Sequence, residues 1–245
     1  MLEVEGLSKR YGETIALADA SIAFRAGTVH TILGENGSGK STLVKLLSGI
    51  VQPDSGTIRL DDKPFSGRDP ATFQAAGFAT VFQEVLIAPE RSVTENILLG
   101  LDGLLARKVP RGERSDRAGA ALARFARTAV PLDVPAGRLP LAAQQLVVLA
   151  RAVARDPRIL ILDEVTAALD FADRAAVFDM MRALAGEGCL ILFITHRMDE
   201  VMALSDRITI LRGGKVVRTE DRGASTPAEL LKAMAPQTAA GLAHG

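Results

Sequence analysis

Residues 34–42 restrict the fold of this chain more than any other segment. They read Gly34-Glu35-Asn36-Gly37-Ser38-Gly39-Lys40-Ser41-Thr42 and match the pattern G-x-x-x-x-G-K-[ST], with an apolar run before them and an apolar periodic segment after them. When a strand delivers such a loop and a helix leaves it, backbone N–H groups converge on phosphate oxygens. We expect Lys40 to reach the β- and γ-phosphates of a nucleotide and the Ser41 hydroxyl to ligate Mg²⁺. A glycine-rich turn between a strand and a helix is the simpler alternative.

Composition narrows the class of protein. A chain of 245 residues fits one large α/β domain, or a core with an inserted subdomain. The 29 Lys and Arg residues balance 29 Asp and Glu residues. The chain therefore lacks the overall excess of basic residues that would indicate nucleic-acid binding, and a local basic patch stays as an alternative. The single Cys189 excludes an internal disulfide, favours a reducing compartment, and is expected to be a buried strand residue.

The chain has no pattern typical of membrane insertion. Its first residues lack the basic start and apolar segment of a signal peptide, and no apolar run approaches the ~20 residues that a membrane span needs. We therefore expect a soluble protein that acts at a membrane only through a partner.

Short apolar runs alternate with helical patterns along the chain. Continuous apolar character predicts strands buried on both faces of a largely parallel sheet, at 29–33, 78–82, 159–162 and 190–194. Two further short strands, 207–211 and 215–218, flank the turn Gly213-Gly214. Helical patterns lie at 40–48, 114–129, 142–155, 171–185 and 198–204. Residues 1–25 and 56–60 indicate a small antiparallel sheet.

These patterns predict an α/β fold with a P-loop NTPase (RecA-like) core, a small antiparallel β subdomain and an inserted helical subdomain. The helical insertion is placed at 85–155 because this stretch is rich in Ala and Arg and has no strong strand pattern. The core then comprises 1–84 and 156–222. Residues 223–245 read as a C-terminal tail in which a helix gives way to Ala-, Gly- and polar-rich sequence.

An apolar strand that ends in two acids is the second chemical motif. Ile159-Leu160-Ile161-Leu162 is followed by Asp163 and Glu164. An Asp at a strand end beside the phosphate loop can hold Mg²⁺ through water, and the next Glu can polarise an attacking water. The alternative is an ordinary strand with two solvated acids at its end. The phosphate loop upstream in the same predicted sheet favours the functional interpretation over this one.

Three single residues complete the candidate site. Gln83 ends a predicted strand and is suited to the Mg²⁺ and water shell, and His196 ends another and is suited to contact a γ-phosphate. Tyr11 precedes Gly12 in the N-terminal sheet and can stack on a base. Taken singly, each residue fits a purely structural role as well.

In their order along residues 2–220, these motifs resemble the ATP-binding cassette (ABC) ATPase family. The resemblance implies ATP and Mg²⁺ as ligands, Ser41, Gln83 and Asp163 as metal ligands, and the motif assignments that follow. Tyr11 is then the A-loop residue, 34–42 the Walker A loop, Gln83 the Q-loop residue, Asp163 and Glu164 the Walker B aspartate and catalytic base, 168–170 the D-loop, and His196 the switch histidine. In this family two cassettes face each other head to tail, and each ATP lies between one Walker A loop and the other cassette's signature motif.

A finer resemblance points to the cassettes of bacterial monosaccharide importers. The stretches that carry it are 29–37, 47–56, 92–100, 195–201 and the doubled Gln144-Gln145. It implies an ATPase that energises import of a sugar or a similar small polar solute, with membrane permease subunits, a second cassette and, indirectly, a solute-binding protein as partners. It places the chain in the cytoplasm, at the inner face of the cell membrane. Many members of this group carry two fused cassettes, so the second cassette is expected from another copy or another protein.

The signature region departs from the family pattern. It reads Leu139-Pro140-Leu141-Ala142-Ala143-Gln144-Gln145 where the sugar group has Leu-Ser-Ile-Gly-x-Gln-Gln. Pro140 replaces the serine whose hydroxyl meets the γ-phosphate across the dimer, and Ala142 adds a methyl group where glycine is expected. Val165 replaces the proline that usually follows the Walker B acids. Two alternatives therefore stay open: a weak or inactive ATPase that acts with a consensus cassette, and a soluble ABC protein without a transport role.

Overall fold

The computed structural model describes residues 1–101 and 109–235. Its strands are β1 (Leu2–Tyr11), β2 (Thr14–Phe24), β3 (Val29–Leu33), β4 (Ser55–Leu60), β5 (Lys63–Pro64), β6 (Phe78–Val81), β7 (Ile159–Asp163), β8 (Leu190–Ile194), β9 (Arg207–Arg212) and β10 (Lys215–Asp221). Its helices are α1 (Lys40–Leu47), α2 (Pro70–Ala75), α3 (Val93–Ile97), α4 (Arg114–Ala123), α5 (Leu141–Val153), α6 (Phe171–Gly186), α7 (Met198–Leu204) and α8 (Pro227–Met234). Short 3-10 helices cover Arg111–Glu113 and Ala136–Arg138.

The strands form two sheets. One has four strands in the order β2-β1-β4-β5 and is antiparallel, as the first part of the sequence predicts. The other has six strands in the order β10-β9-β3-β8-β7-β6. Its pairs β3–β9 and β6–β7 are parallel and β9–β10 is antiparallel, so this sheet is mixed. All residues of β3, β7 and β8 are buried, which explains their continuous apolar sequences.

The described chain divides into two compact units. The first contains residues 1–25, 30–69 and 194–235 and so includes the four-stranded sheet, α1 and the β9–β10 hairpin. The second contains residues 26–29 and 70–193 and includes α2 to α6. The sequence-based division into a core and an inserted helical subdomain at 85–155 stays a prediction. In the described part of residues 85–155, the regular elements are helices, with no β-strand among them.

One predicted helix is shorter than expected. The pattern at 114–129 predicted a helix of that full length, but α4 ends at Ala123. The N–H groups of Phe125 and Ala126 both bond to the Leu122 carbonyl, which tightens the last turn. The Arg127 N–H then bonds to the Asp173 side chain (3.2 Å) instead of continuing the helix.

Two smaller differences concern strands and the tail. Cys189 is buried as expected, but it precedes β8 rather than lying in it, and burial raises the pKa of its thiol to about 11. The predicted tail begins with α8, whose Thr226–Glu229 capping box fixes its start. Residues 236–245 of that tail lie outside the described residues.

Within residues 1–101 and 109–235, no helix is both long and apolar enough to cross a bilayer.

Candidate functional site

The phosphate loop between β3 and α1 belongs to the first unit, and its shape depends on glycine. Gly37 and Gly39 have φ values of +79° and +105°, which lie in the region that side chains disfavour. A Cβ on Gly39 would lie 2.7 Å from the Ala16 carbonyl oxygen, and one on Gly34 would collide with the Leu211 carbonyl and the Ser38 hydroxyl. Neither Gly34 nor Gly39 has room for a side chain, so the loop conformation is closely specified.

Polar groups of this loop are arranged as an anion site requires. Lys40 is only 6% exposed, and its Nζ donates to the carbonyl oxygens of Gly34 (2.7 Å) and Glu35 (3.0 Å), which holds the ammonium over the loop. The Ser38 hydroxyl is buried without a hydrogen-bond partner among the described residues. A buried hydroxyl without a partner costs free energy that a ligand oxygen would recover. Helix α1 begins directly after the loop, and within the described chain no side chain caps its N-terminus. These groups fit a phosphate chain.

The Gly213-Gly214 turn of the β9–β10 hairpin is hydrogen-bonded to the phosphate loop. The N–H of Gly214, in the turn between β9 and β10, donates to the Ser38 carbonyl (3.1 Å). The Gly214 carbonyl accepts from the Ala18 N–H of β2 (2.7 Å). The turn therefore joins strand β2 to the phosphate loop, and a cleft of about 580 Å³ lies beside it, lined in part by loop residues Glu35 to Ser38. Sequence analysis identified Gly213-Gly214 only as a hairpin turn.

Tyr11 is at the end of β1, in the same unit. Its side chain is 44% exposed, and the Lys9 ammonium lies 5.9 Å from the ring centroid. Asp54 accepts from Lys9 Nζ (2.7 Å) and from the Arg10 N–H (2.7 Å), and these two hydrogen bonds hold the pKa of its carboxyl below the usual value. The residues around Tyr11 are thus fixed, while the aromatic ring is accessible enough to stack on a base.

Ser41 and His196 complete the predicted residues of the first unit. Ser41 is exposed in the first turn of α1, directly after Lys40. His196 is exposed in the segment between β8 and α7, and its neighbour Thr195 is buried. Thr42 is half-buried, and Asn36 and Gly37 are exposed at the tip of the loop.

The second unit carries the two acids and Gln83. Asp163 is the last residue of β7 and is buried, whereas Glu164 is half-buried with a left-handed backbone (φ +50°). A left-handed glutamate is strained, and such strain occurs often at functional sites. Strand β6 ends at Val81, so Gln83 lies two residues beyond the strand that it was predicted to end. Val81 pairs with Leu162 of the parallel β7, so Gln83 follows β6 at the edge where Asp163 ends β7. The Gln83 amide and the Asp163 carboxyl group carry oxygen donors, which is the donor chemistry that Mg²⁺ prefers.

The signature region starts helix α5 in the second unit. Pro140 is the N-cap residue (φ −57°, ψ 153°), and no side chain of the described residues caps this helix. Leu141 follows and is 60% exposed. The buried Gln145 Nε2 has no hydrogen-bond partner in the part of the chain that the structure describes. The segment therefore keeps a helix start, with Pro140 where the pattern given above has a serine hydroxyl and Ala142 where it has a glycine.

A groove in the second unit is lined by Arg151 of α5 and by Arg155, two residues after that helix ends. It has a volume of about 340 Å³ and includes the exposed side chains of Leu86 and Leu99. Arg151 donates to the carbonyl oxygens of Leu86 (2.8 Å) and Asn96 (2.8 Å), and Arg155 donates to that of Leu99 (2.8 Å). Burial, and for Arg151 also the neighbouring Arg155, lowers the pKa of both guanidinium groups. Sequence analysis predicted a helical insertion in this region without identifying these arginines.

Comparison with protein families gives one match over most of the chain. A family profile described as ABC transporter matches residues 17–167. The ribose import ATP-binding protein RbsA 1 of Rhizobium johnstonii is 40% identical over 234 residues, covering 96% of this chain and 46% of that protein. The ribose import ATP-binding protein RbsA of a Ruegeria species is 40% identical over 238 residues, with coverages of 96% and 46%. The chain thus spans about half the length of the curated relatives it matches.

Solved structures with the same fold are similar over nearly their whole length. A dimeric ATP-binding cassette in a post-hydrolysis state, bound to ADP and Pi, has a TM-score of 0.81 at 26% identity, with 90% of this chain and 98% of that chain covered. An ATP-binding subunit of an ABC transporter has a TM-score of 0.82 at 25% identity, with 96% and 99% covered. The fold class predicted from the sequence is confirmed.

Proposed function

Because this chain belongs to the ABC transporter family, we propose that it binds and hydrolyses ATP to energise import of a sugar or a similar small polar solute. The phosphate loop carries the proposal: Lys40 is held over the loop by the carbonyls of Gly34 and Glu35, and the buried Ser38 hydroxyl still needs an acceptor or donor. The sugar assignment is supported by relatives that are named as ribose import proteins.

Each motif residue has a proposed role in hydrolysis. The loop residues 34–42 wrap the phosphates, Lys40 neutralises charge on the β- and γ-phosphates, and Tyr11 stacks on adenine. Glu164 accepts a proton from the attacking water, and His196 contacts the γ-phosphate. Mg²⁺ would be held by Ser41, Gln83 and Asp163, where it would neutralise phosphate charge.

The proposed partners are the permease subunits of a transporter and a second cassette. The groove beside Arg151 and Arg155 combines apolar side chains with fixed cations, which suits a cytoplasmic helix of a permease subunit. A solute-binding protein is an indirect partner. The proposed location is the cytoplasmic face of the cell membrane, reached through the permease. A solved relative described as a dimeric cassette supports pairing with a second cassette.

The altered signature weakens the nucleotide site that this chain completes for a partner cassette. A partner's γ-phosphate would meet Pro140, which has neither a hydroxyl nor an N–H group, so a hydrogen bond to a charged group is lost. Such a loss costs ~1.5–3 kcal/mol, or roughly 10- to 150-fold in affinity or rate. A homodimer would then have two impaired sites. A heterodimer with a consensus cassette would have one complete site, built from this chain's Lys40, Asp163 and Glu164 and the partner's signature.

Mg²⁺-dependent ATP hydrolysis by the purified chain tests the proposal, with Glu164→Gln as the blank. Wild-type turnover above the blank, with ATP binding equal in both, supports the proposed function. Tight ATP binding without turnover supports the alternative favoured by Pro140, a subunit that needs a consensus cassette for hydrolysis. Absence of ATP binding would contradict the proposal.

A further inference from the structure

Glu200 is a fully buried acidic side chain close to the segment that carries His196. It lies in the first turn of α7, where its Oε2 accepts a hydrogen bond of 2.6 Å from the Thr195 hydroxyl. Its Oε1 lies 3.6 Å from the Nε of Arg197. Burying a carboxylate is costly unless hydrogen bonds or a cation compensate for the lost water. The position of Glu200 therefore depends on the two residues that flank His196.

The same hydroxyl also fixes the backbone across His196. Thr195 Oγ1 accepts from the Arg197 N–H (3.1 Å), a local side-chain-to-backbone bond that spans the histidine. As a result, one carboxylate and one hydroxyl hold the residues on both sides of His196. The imidazole itself belongs to an exposed residue. This arrangement gives a fixed backbone and an accessible ring.

We propose that Thr195 and Glu200 are positioning residues that hold His196 where its imidazole can contact the γ-phosphate. The inference rests on the proposed ATP hydrolysis. Catalytic contacts depend on placement to within about 1 Å, so losing the bond across His196 lowers turnover without removing any group that binds ATP. A bond with a structural role alone would only anchor α7.

The other end of α7 provides a matched control. Ser205, directly after α7, shares a 2.6 Å hydrogen bond with the hydroxyl of Thr31 in β3, and both side chains are fully buried. Thr31→Val and Thr195→Val therefore remove the same chemical group from similar surroundings. Thr195→Val removes both a donor to the buried Glu200 and the acceptor of the Arg197 N–H, so we expect it to lower the melting temperature more than Thr31→Val does. Thr195 bonds to the N–H of Arg197, next to His196, whereas Thr31 bonds to Ser205 after the end of α7.

The first measurement is steady-state ATP hydrolysis with ATP affinity determined separately. We expect Thr195→Val to lower kcat about tenfold at unchanged ATP affinity, because the hydrogen bonds between the Thr195 hydroxyl and its partners Glu200 and Arg197 are lost. Thr195→Ser, which keeps the hydroxyl, should restore kcat, and Thr31→Val should keep the wild-type value. Equal kcat for Thr195→Val and Thr31→Val would overturn the proposal.

The second measurement reads the position of His196 without ATP turnover. The chain has three histidines, so the imidazole signal of His196 can be assigned in an NMR spectrum by its loss in His196→Ala. Thr195→Val and Glu200→Gln should shift this signal, whereas Thr31→Val should leave it in place. An unshifted signal in Thr195→Val would contradict the positioning role. If the wild-type chain binds ATP but hydrolyses none, the alternative of a subunit that needs a consensus cassette is supported, and this spectrum alone decides the inference.

Discussion

Helices α1 and α5 begin in contrasting ways, although neither N-terminus is capped by a side chain of the described residues. At the start of α1, Gly39 adopts a left-handed backbone and Lys40 contributes a buried ammonium group. The buried Ser38 hydroxyl has no hydrogen-bond partner among the described residues. Before α5, Pro140 has no N–H, and Leu141 exposes an apolar side chain. The groups at the first start suit an anion. The second start has no N–H at Pro140 and no polar side chain at Pro140 or Leu141.

This contrast shows that two helix starts within one chain can differ in the polar groups that they offer to an anion. Under the proposed function, the phosphate loop binds the chain's own nucleotide and the start of α5 meets a partner's nucleotide. Substitutions at α5 should then change what the chain offers to another cassette and leave its own phosphate contacts intact. Three variants test this difference.

The largest effect is expected at the start of α1. Lys40→Ala removes the ammonium that lies over the loop, and several charge-assisted contacts to phosphate are lost with it. We expect ATP affinity to fall by roughly 100-fold or more, measured by isothermal titration calorimetry. Lys45→Ala is the control, because Lys45 is exposed in the last turn of the same helix. Equal losses in both variants would mean that general charge, not the loop, attracts the nucleotide.

The next effect concerns the start of α5. Pro140→Ser combined with Ala142→Gly restores the family pattern at the two altered positions. We expect turnover of a homodimer to rise by roughly 10- to 150-fold, since a hydrogen bond to a charged group is regained. ATP affinity of the isolated chain should stay unchanged, because its own phosphate loop is unaltered. Unchanged turnover would show that the altered signature is not what limits hydrolysis.

The smallest effect concerns the hairpin that supports the phosphate loop. A Cβ on Gly214 would lie 3.1 Å from the Ala16 carbonyl oxygen, whereas around a Cβ on Gly213 no described atom lies within 4 Å. Both residues have positive φ, so Gly213→Ala and Gly214→Ala carry similar backbone strain of about 1–2 kcal/mol. We expect only Gly214→Ala to weaken ATP binding, by a few-fold, with similar melting temperatures for both. Equal ATP affinities would show that the hairpin does not support the loop.

Much of this fold could be predicted from sequence, for reasons that particular elements make clear. Strands β3 and β8 were predicted with correct bounds because they are buried on both faces and therefore wholly apolar. Helix α3 was missed because it has only five residues. Ser92 and Glu95 form a capping box at its start, and this Ser-x-x-Glu pattern is a signal that the sequence does contain. The end of α4 depends on a hydrogen bond from Arg127 to Asp173, a residue far along the chain, which no local pattern reveals.

The candidate site could be predicted only in part. Motif spacing located the loop at 34–42, the acids Asp163 and Glu164, and His196, and their roles in hydrolysis stay predictions. The local bond from Thr195 to the buried Glu200, five residues along the chain, was missed. The bond from the Gly214 N–H to the Ser38 carbonyl comes from a distant segment and was not predictable. Tertiary hydrogen bonds of this kind leave no periodic signal in the sequence.

Under the proposed role of Glu164 as catalytic base, its left-handed backbone affects how an inactive variant should be made. At φ +50° the residue is under strain, and glycine would relieve that strain while glutamine would keep it. A Gly variant would therefore change two properties at once, because it removes the carboxylate and also makes the native state easier to maintain. A Gln variant changes only the charge. For trapping ATP in a stalled complex, Glu164→Gln is the cleaner tool, and a Gly variant that melts at a higher temperature should not be read as ligand stabilisation.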